Sequence, residues 1–205
     1  MCSIIGYKGK FDPDLVQKLF FNSRIRGLHA FGYSCLYQGQ IQVKKFLKYE
    51  DFIKSITEDK PDNFIAHFRY STSGDYKNEQ NNQPLFKESI SMVFNGVIDM
   101  ASREELEKKY NTHLDTENDG ELALIYKDQS NEDLLQLIRH KTFAGLFLNK
   151  EGQIEVLRNR NRPCYKGSKE GNQIIASTKD ILTRSGVTEE VADRDWETTL
   201  QKFCV

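Results

Sequence analysis

The sequence predicts an α+β fold with mostly antiparallel sheets, and three observations lead there. Strand-like runs fill both ends of the chain, and the longest helical stretch lies between them. Several strand runs pair across short glycine-containing turns. There is no regular βαβ alternation, so a parallel doubly wound sheet is not expected.

Taken in order, "SIIGY" (3–7) reads as a short buried strand. "DPDLVQKLFFNSR" follows, with Asp12 as N-cap, Pro13 at the first helical position and apolar residues at 15, 16, 19 and 20. That is an amphipathic helix with its start signal. "FGYSCLY" (31–37) and "IQVKKFL" (41–47) flank "QGQ" and predict a hairpin, and "YEDFIKSITE" predicts a short helix. "NFIAHFRY" and "SISMVFNG" predict two further strands around the polar stretch "STSGDYKNEQNNQP". That stretch has neither helical nor strand period and is expected to be a loop.

Helices are expected at 101–110, 119–127 and 131–140. A second hairpin runs from "TFAGLFLN" across "KEG" to "QIEVLRN", and "NQIIAST" is another strand. The tail after 186 is ambiguous and is expected to end in strand. There is no repeat, low-complexity segment or linker, so residues 1–205 are expected to form a single domain.

Composition narrows the function classes. Of the 205 residues, 38% are hydrophobic and 29% charged, with a formal net charge of −1. No apolar run approaches the ~20 residues of a membrane span. No basic block suggests a nucleic-acid footprint. No secretory signal is expected, and Cys2, Cys35, Cys164 and Cys204 form no CxxC pair. A reducing, cytoplasmic setting without a zinc site or disulfide framework fits this pattern. His29, His67, His113 and His140 lack metal-ligand spacing and read as isolated polar or packing residues.

The candidate motifs are ambiguous one at a time. "MCSIIGY" could open with a small buried thiol. Alternatively, Met1 is removed and Cys2 presents a thiol and a free α-amine on one residue. "RGLHAFG" (26–32) could be a helix cap and turn, and Arg69 in "HFRYSTSG" a solvated edge charge. "FNG" (94–96) could be a tight turn, and "NDGELAL" (118–124) an ordinary helix start.

Together and in this order, the motifs resemble the class II glutamine amidotransferases, whose glutaminase domain belongs to the N-terminal nucleophile hydrolases. The resemblance runs from Cys2 through "IIASTKDIL" (174–182). "RGLHAFG" is similar to the family's RG-x-D-x-x-G segment, with His29 in place of the aspartate. "AHFRYSTSG" and "NNQP" resemble its arginine-containing glutamine loop, with Ser73 where several members carry histidine or alanine. "FNG" resembles its asparagine–glycine pair, and "NDGE" its S-D-T-E turn. "RNRNRPCY" resembles its R-x-x-R-P-L stretch.

The resemblance implies a four-layer αββα sandwich of two mostly antiparallel sheets. It implies Cys2 as nucleophile, with its own α-amine as the base once Met1 is gone. Asn95 and Gly96 would form the oxyanion hole. Arg69 would grip the glutamine α-carboxylate and Asp119 its α-ammonium. Tyr70, Thr72 and Ser73 would belong to the closing loop, and Arg26 would brace Cys2. No cofactor and no metal are implied.

The expected reaction converts glutamine to glutamate and ammonia through a γ-glutamyl thioester. The chain ends soon after the glutaminase-like strands and holds no P-loop, so the expected partner is a separate ammonia-accepting synthase or amidotransferase subunit. Two alternatives stand beside this reading. One is a self-sufficient amidase or γ-glutamyl hydrolase, and the other a catalytically silent glutamine-binding or assembly subunit.

Overall fold

The computed structural model describes residues 1–72, 74–159, 162–191 and 201–203. One sheet contains β1 (Ser3–Lys8), β2 (Ala30–Tyr37), β3 (Gln40–Phe46), β4 (Asn63–Arg69), β9 (Tyr165–Lys169), β10 (Asn172–Ala176) and β11 (Thr188–Val191). Their order is β11-β9-β10-β1-β4-β2-β3. The second contains β5 (Leu85–Lys87), β6 (Ile90–Val97), β7 (Thr142–Asn149), β8 (Ile154–Arg158) and β12 (Gln201–Phe203). Their order is β12-β8-β7-β6-β5. Every described pairing is antiparallel.

Helices α1 (Pro13–Arg24), α2 (Tyr49–Asp59) and α6 (Lys179–Arg184) cover the first sheet. Helices α3 (Arg103–Tyr110), α4 (Gly120–Gln129) and α5 (Asn131–Ile138) belong with the second. The strands β5 and β9 and the helix α6 were not anticipated. They are three, five and six residues long, too short or too polar to display a period.

Strand alternation sorts the core into three apolar layers. On β1 and β4, Ile5, Tyr7, Phe64, Ala66 and Phe68 face α1 and α2, whereas Ile4 and Ile65 face the other sheet. On β6 and β7, Phe94, Phe143 and Phe147 face α4 and α5, whereas Val93, Ala144, Leu146 and Leu148 face back. The result is helix, sheet, sheet, helix. Phe20 of α1 is fully buried, stacked on Phe52 at 4.8 Å and set edge-on to Phe64 and Phe68. Truncating such a ring to alanine costs ~3–5 kcal/mol.

The helix starts follow their sequence signals. Asp12 Oδ1 accepts from the Asp14 and Leu15 N–H groups at 3.0 and 3.1 Å, with Pro13 opening the helix. Ser102 and Glu105 cap α3 reciprocally. No helix among the described residues is long and apolar enough to cross a membrane.

Candidate active site

The two-residue period also decides what meets between the sheets. Cys2 precedes β1 in phase with Ile4, His67 and Arg69 are in phase with Ile65, and Asn95 is in phase with Val93. All four therefore lie on the faces that the two sheets turn toward each other. At one end of this layer a narrow cleft is lined by Cys2, His67, Arg69, Tyr70, Gly96 and Asp119, among others. Gln83, Asn118, Thr72 and Phe94 complete its wall. A larger hollow of about 370 Å³ lies beside Ile41, Leu85 and Glu121. It holds no thiol, and its Glu121 carboxylate is engaged by the Asp115 and Thr116 N–H groups.

Cys2 is partly exposed, and its sulfur sits against the backbone that leaves β4. The Tyr70 N–H donates to Sγ at 3.4 Å, and Sγ lies 3.6 Å from the Tyr70 carbonyl. Burial pushes the thiol up from its ordinary value. The Tyr70 N–H, the terminal amine charge, Arg69 and Arg162 pull it back down. Arg26 Nε donates to the Cys2 carbonyl at 3.2 Å, which fixes the chain just ahead of β1. Met1 is 63% exposed, with its sulfur 3.3 Å from Arg162 Nη1.

Arg69 is buried at the end of β4. Its Nη1 donates to Asn82 Oδ1, and its Nη2 donates to the Gly74 carbonyl at 3.1 Å. Asn82 Nδ2 donates in turn to the Tyr76 carbonyl at 2.7 Å. Asp119 is buried at the start of α4, where Oδ2 accepts from Ile98 and Asp99 N–H groups at 2.6 and 3.0 Å. Burial raises its carboxyl above the usual carboxylate value, against the lowering effect of those two N–H groups. A cation and a carboxylate thus line one small cavity with a thiol.

Asn95 is buried, and its Nδ2 has no hydrogen-bond partner among the described residues. Gly96 follows on the cavity wall. A Cβ there would lie 1.9 Å from the Thr142 carbonyl oxygen, so the close approach of β6 and β7 itself requires glycine. Tyr70 contributes its backbone to Cys2, while its ring stacks on His29. Thr72 is exposed at the rim of the cavity. Ser73 lies outside the described residues.

Several site residues were not singled out from the sequence. His67 is fully buried on the cavity wall, with its ring beside the Phe94 backbone. Burial and the nearby Arg69 charge push its imidazole down to about 3. Asn81, Asn82, Gln83 and Asn118 form the polar frame. Gln83 Oε1 accepts from the Phe94 N–H at 2.6 Å, and Asn118 Nδ2 donates to the Asn81 carbonyl at 2.9 Å. A Cβ at Gly32 would lie 2.3 Å from the Gln83 carbonyl oxygen, so β2 admits this segment only with glycine there. The sequence signal was the amide-rich "NNQP", whose partners lie far along the chain.

No family model matches the chain. It is 30% identical over 139 residues to the glutamine–fructose-6-phosphate aminotransferase (isomerizing) of Agrobacterium fabrum. The match covers 62% of this chain but 22% of that relative, so the chain spans less than a quarter of its length. Among solved structures, the chain superposes on the glutamine phosphoribosylpyrophosphate amidotransferase of B. subtilis with a TM-score of 0.72 at 18% identity. That alignment covers 92% of this chain and 44% of the other. A structure described as the allosteric regulatory enzyme of purine biosynthesis gives 0.74 at 19% identity, with the same coverage. A glutamine aminotransferase class-II domain protein from Silicibacter pomeroyi gives 0.54 at 13% identity, covering 86% of this chain and 88% of that one. The chain therefore shares its α+β fold of two antiparallel sheets with these amidotransferase structures, and over 139 residues it is similar in sequence to the glutamine–fructose-6-phosphate aminotransferase.

Proposed function

We propose that the chain, acting as one unit after removal of Met1, hydrolyses the side-chain amide of glutamine with Cys2 as nucleophile. The observation that carries this reading is the convergence of Cys2, Arg69, Gly96 and Asp119 on one small cavity. A free amino acid presents a carboxylate and an ammonium at one end, and Arg69 and Asp119 supply the opposite charges. The clamp from Asn82 and Gly74 sets the plane of the guanidinium before a ligand arrives.

In the cycle, the Cys2 thiol passes its proton to the freed α-amine, and the thiolate attacks the glutamine side-chain carbonyl carbon. The carbonyl oxygen becomes an oxyanion, met by the Asn95 Nδ2 donor and the Gly96 N–H. Collapse breaks the carbon–nitrogen bond, and the ammonium proton leaves with ammonia. Water then attacks the γ-glutamyl thioester, its proton passes to the amine, and glutamate and the thiol are released. An α-amine near neutrality suits both transfers. A peptide-bonded nitrogen could not serve, which makes removal of the exposed Met1 a condition of activity.

The ammonia is taken up by a separate acceptor enzyme that docks this subunit. The setting is cytoplasmic, which suits the free thiols of Cys2, Cys35 and Cys164. Intact mass combined with glutamate release tests the proposal. Mature protein should lack Met1 and release glutamate, and Cys2→Ala should release none while still binding glutamine. Full activity in Cys2→Ala, or in protein that keeps Met1, overturns it.

A further inference from the structure

His29 makes its hydrogen bonds and ring contacts to the segment leaving β4 rather than to an apolar core. The backbone N–H of His29 donates to the Arg69 carbonyl at 3.0 Å. Its Nδ1 accepts from the Ser71 N–H at 2.9 Å. The ring lies between Tyr70 and Tyr76, with centroid separations of 4.9 and 5.0 Å and interplanar angles of 26° and 21°. His29 belongs to none of the three buried clusters, and its neighbour Leu28 is 64% exposed.

The chemistry of these contacts is specific. A ring nitrogen accepts an N–H only through its lone pair, so this bond needs Nδ1 unprotonated, with the neutral ring's proton on Nε2. The ring also joins two points that sequence keeps apart. Tyr70 flanks the Cys2 sulfur, and Tyr76 receives the Asn82 amide that holds Arg69. Between them, Ser71 Oγ and Arg69 Nη2 both donate to the Gly74 carbonyl, at 3.0 and 3.1 Å.

We propose that His29 is a positioning residue for glutamine. It holds Arg69 and the Tyr70 backbone in their binding geometry through a hydrogen bond to Ser71 and a separate stack between Tyr70 and Tyr76. The kinetic part of this proposal rests on the glutaminase reading, whereas the structural part does not. The two contacts can be separated by substitution. His29→Asn keeps an acceptor near the position of Nδ1 and loses the stack. His29→Phe keeps the stack and loses the acceptor, and His29→Ala loses both.

The experiment measures amide hydrogen exchange of a peptide spanning 69–76, together with glutamine KM and kcat, in the mature full chain. His29→Phe should speed exchange at the Ser71 amide and raise KM about three- to tenfold, the range of one lost neutral hydrogen bond. Its kcat should stay within about twofold of wild type. His29→Asn should restore protection at Ser71 and most of the KM, and His29→Ala should be the weakest binder. Wild-type exchange and KM in His29→Phe overturn the proposal, as does His29→Asn matching His29→Ala. Wild type that releases no glutamate defeats the glutaminase reading instead, and the exchange comparison still decides the brace.

Discussion

Asn82 and Arg69 are hydrogen-bonded to each other inside the protein, Nη1 to Oδ1, with 1% and 3% of their surfaces exposed. The bond carries a full charge and fixes a planar group, so losing it matters more than losing an average hydrogen bond. Asn82→Ala should raise the glutamine KM by about tenfold or more while leaving kcat within about threefold. Asn82→Asp should raise KM further, because a carboxylate there would satisfy the guanidinium proposed to grip the substrate. Steady-state kinetics on both variants check this, and an unchanged KM in both removes Arg69 from carboxylate binding.

Asn95 offers a cleaner separation of function from stability. Its buried Nδ2 bonds to no described group, so the folded state gains little from it. Asn95→Ala should therefore melt at the wild-type temperature. An oxyanion donor is expected to matter during turnover, and its loss should lower kcat about 10²- to 10³-fold. A loss smaller than about fivefold would mean the oxyanion is held elsewhere.

Asp119 should trade stability against binding. Its folded carboxyl is raised by burial, so the folded state holds the proton more tightly than the unfolded chain does. That contribution is full below the ordinary carboxylate value and is lost as pH rises through the folded one, leaving the ionised group unfavourable at neutral pH. Asp119→Asn should match or exceed the wild-type melting temperature at pH 7, with the gap narrowing in acid. The same variant should bind glutamine at least about tenfold more weakly, since it cannot balance the ammonium charge. Melting curves across pH and a KM measurement test both halves. A less stable variant with normal KM contradicts the assignment.

How far the sequence anticipated this site depends on the range of each contact. Cys2, Arg69 and Asp119 stand at the ends of elements whose patterns are local, such as the alternation through Phe64, Ala66 and Phe68. Asn81, Asn82 and Gln83 lie in a stretch without period. What makes them structural is bonding to Glu117, Arg69 and Phe94, between 11 and 36 residues away. Gly96 is expected from the resemblance as part of an oxyanion hole, and its missing Cβ makes room for the Thr142 carbonyl, a requirement set by a strand far along the chain that no local pattern reveals. His29 stands where the resembled segment carries an aspartate, and from the sequence it reads as an isolated polar or packing residue. Its ring instead accepts the Ser71 N–H and stacks on two tyrosines, contacts that no local pattern reveals.

His67 reads from the sequence as an isolated polar or packing residue, and its buried surroundings give it a measurable pH signature. Buried beside Arg69, its imidazole is pushed down to about 3, whereas an unfolded chain binds the proton near the ordinary value of about 6.5. Folded stability is therefore complete above that ordinary value and falls as the medium is acidified toward the folded one. Each pH unit in that window costs about 1.4 kcal/mol, or about 2 kcal/mol by pH 5. His67→Gln lacks this proton-binding group, while the carboxylates that also titrate in acid are common to both proteins and largely cancel. Urea unfolding at pH 7.5 and pH 5.0 should show the stability difference shifting toward the variant by about 2 kcal/mol. A difference that stays constant between the two pH values would mean that the imidazole reaches solvent and takes up its proton in the folded state.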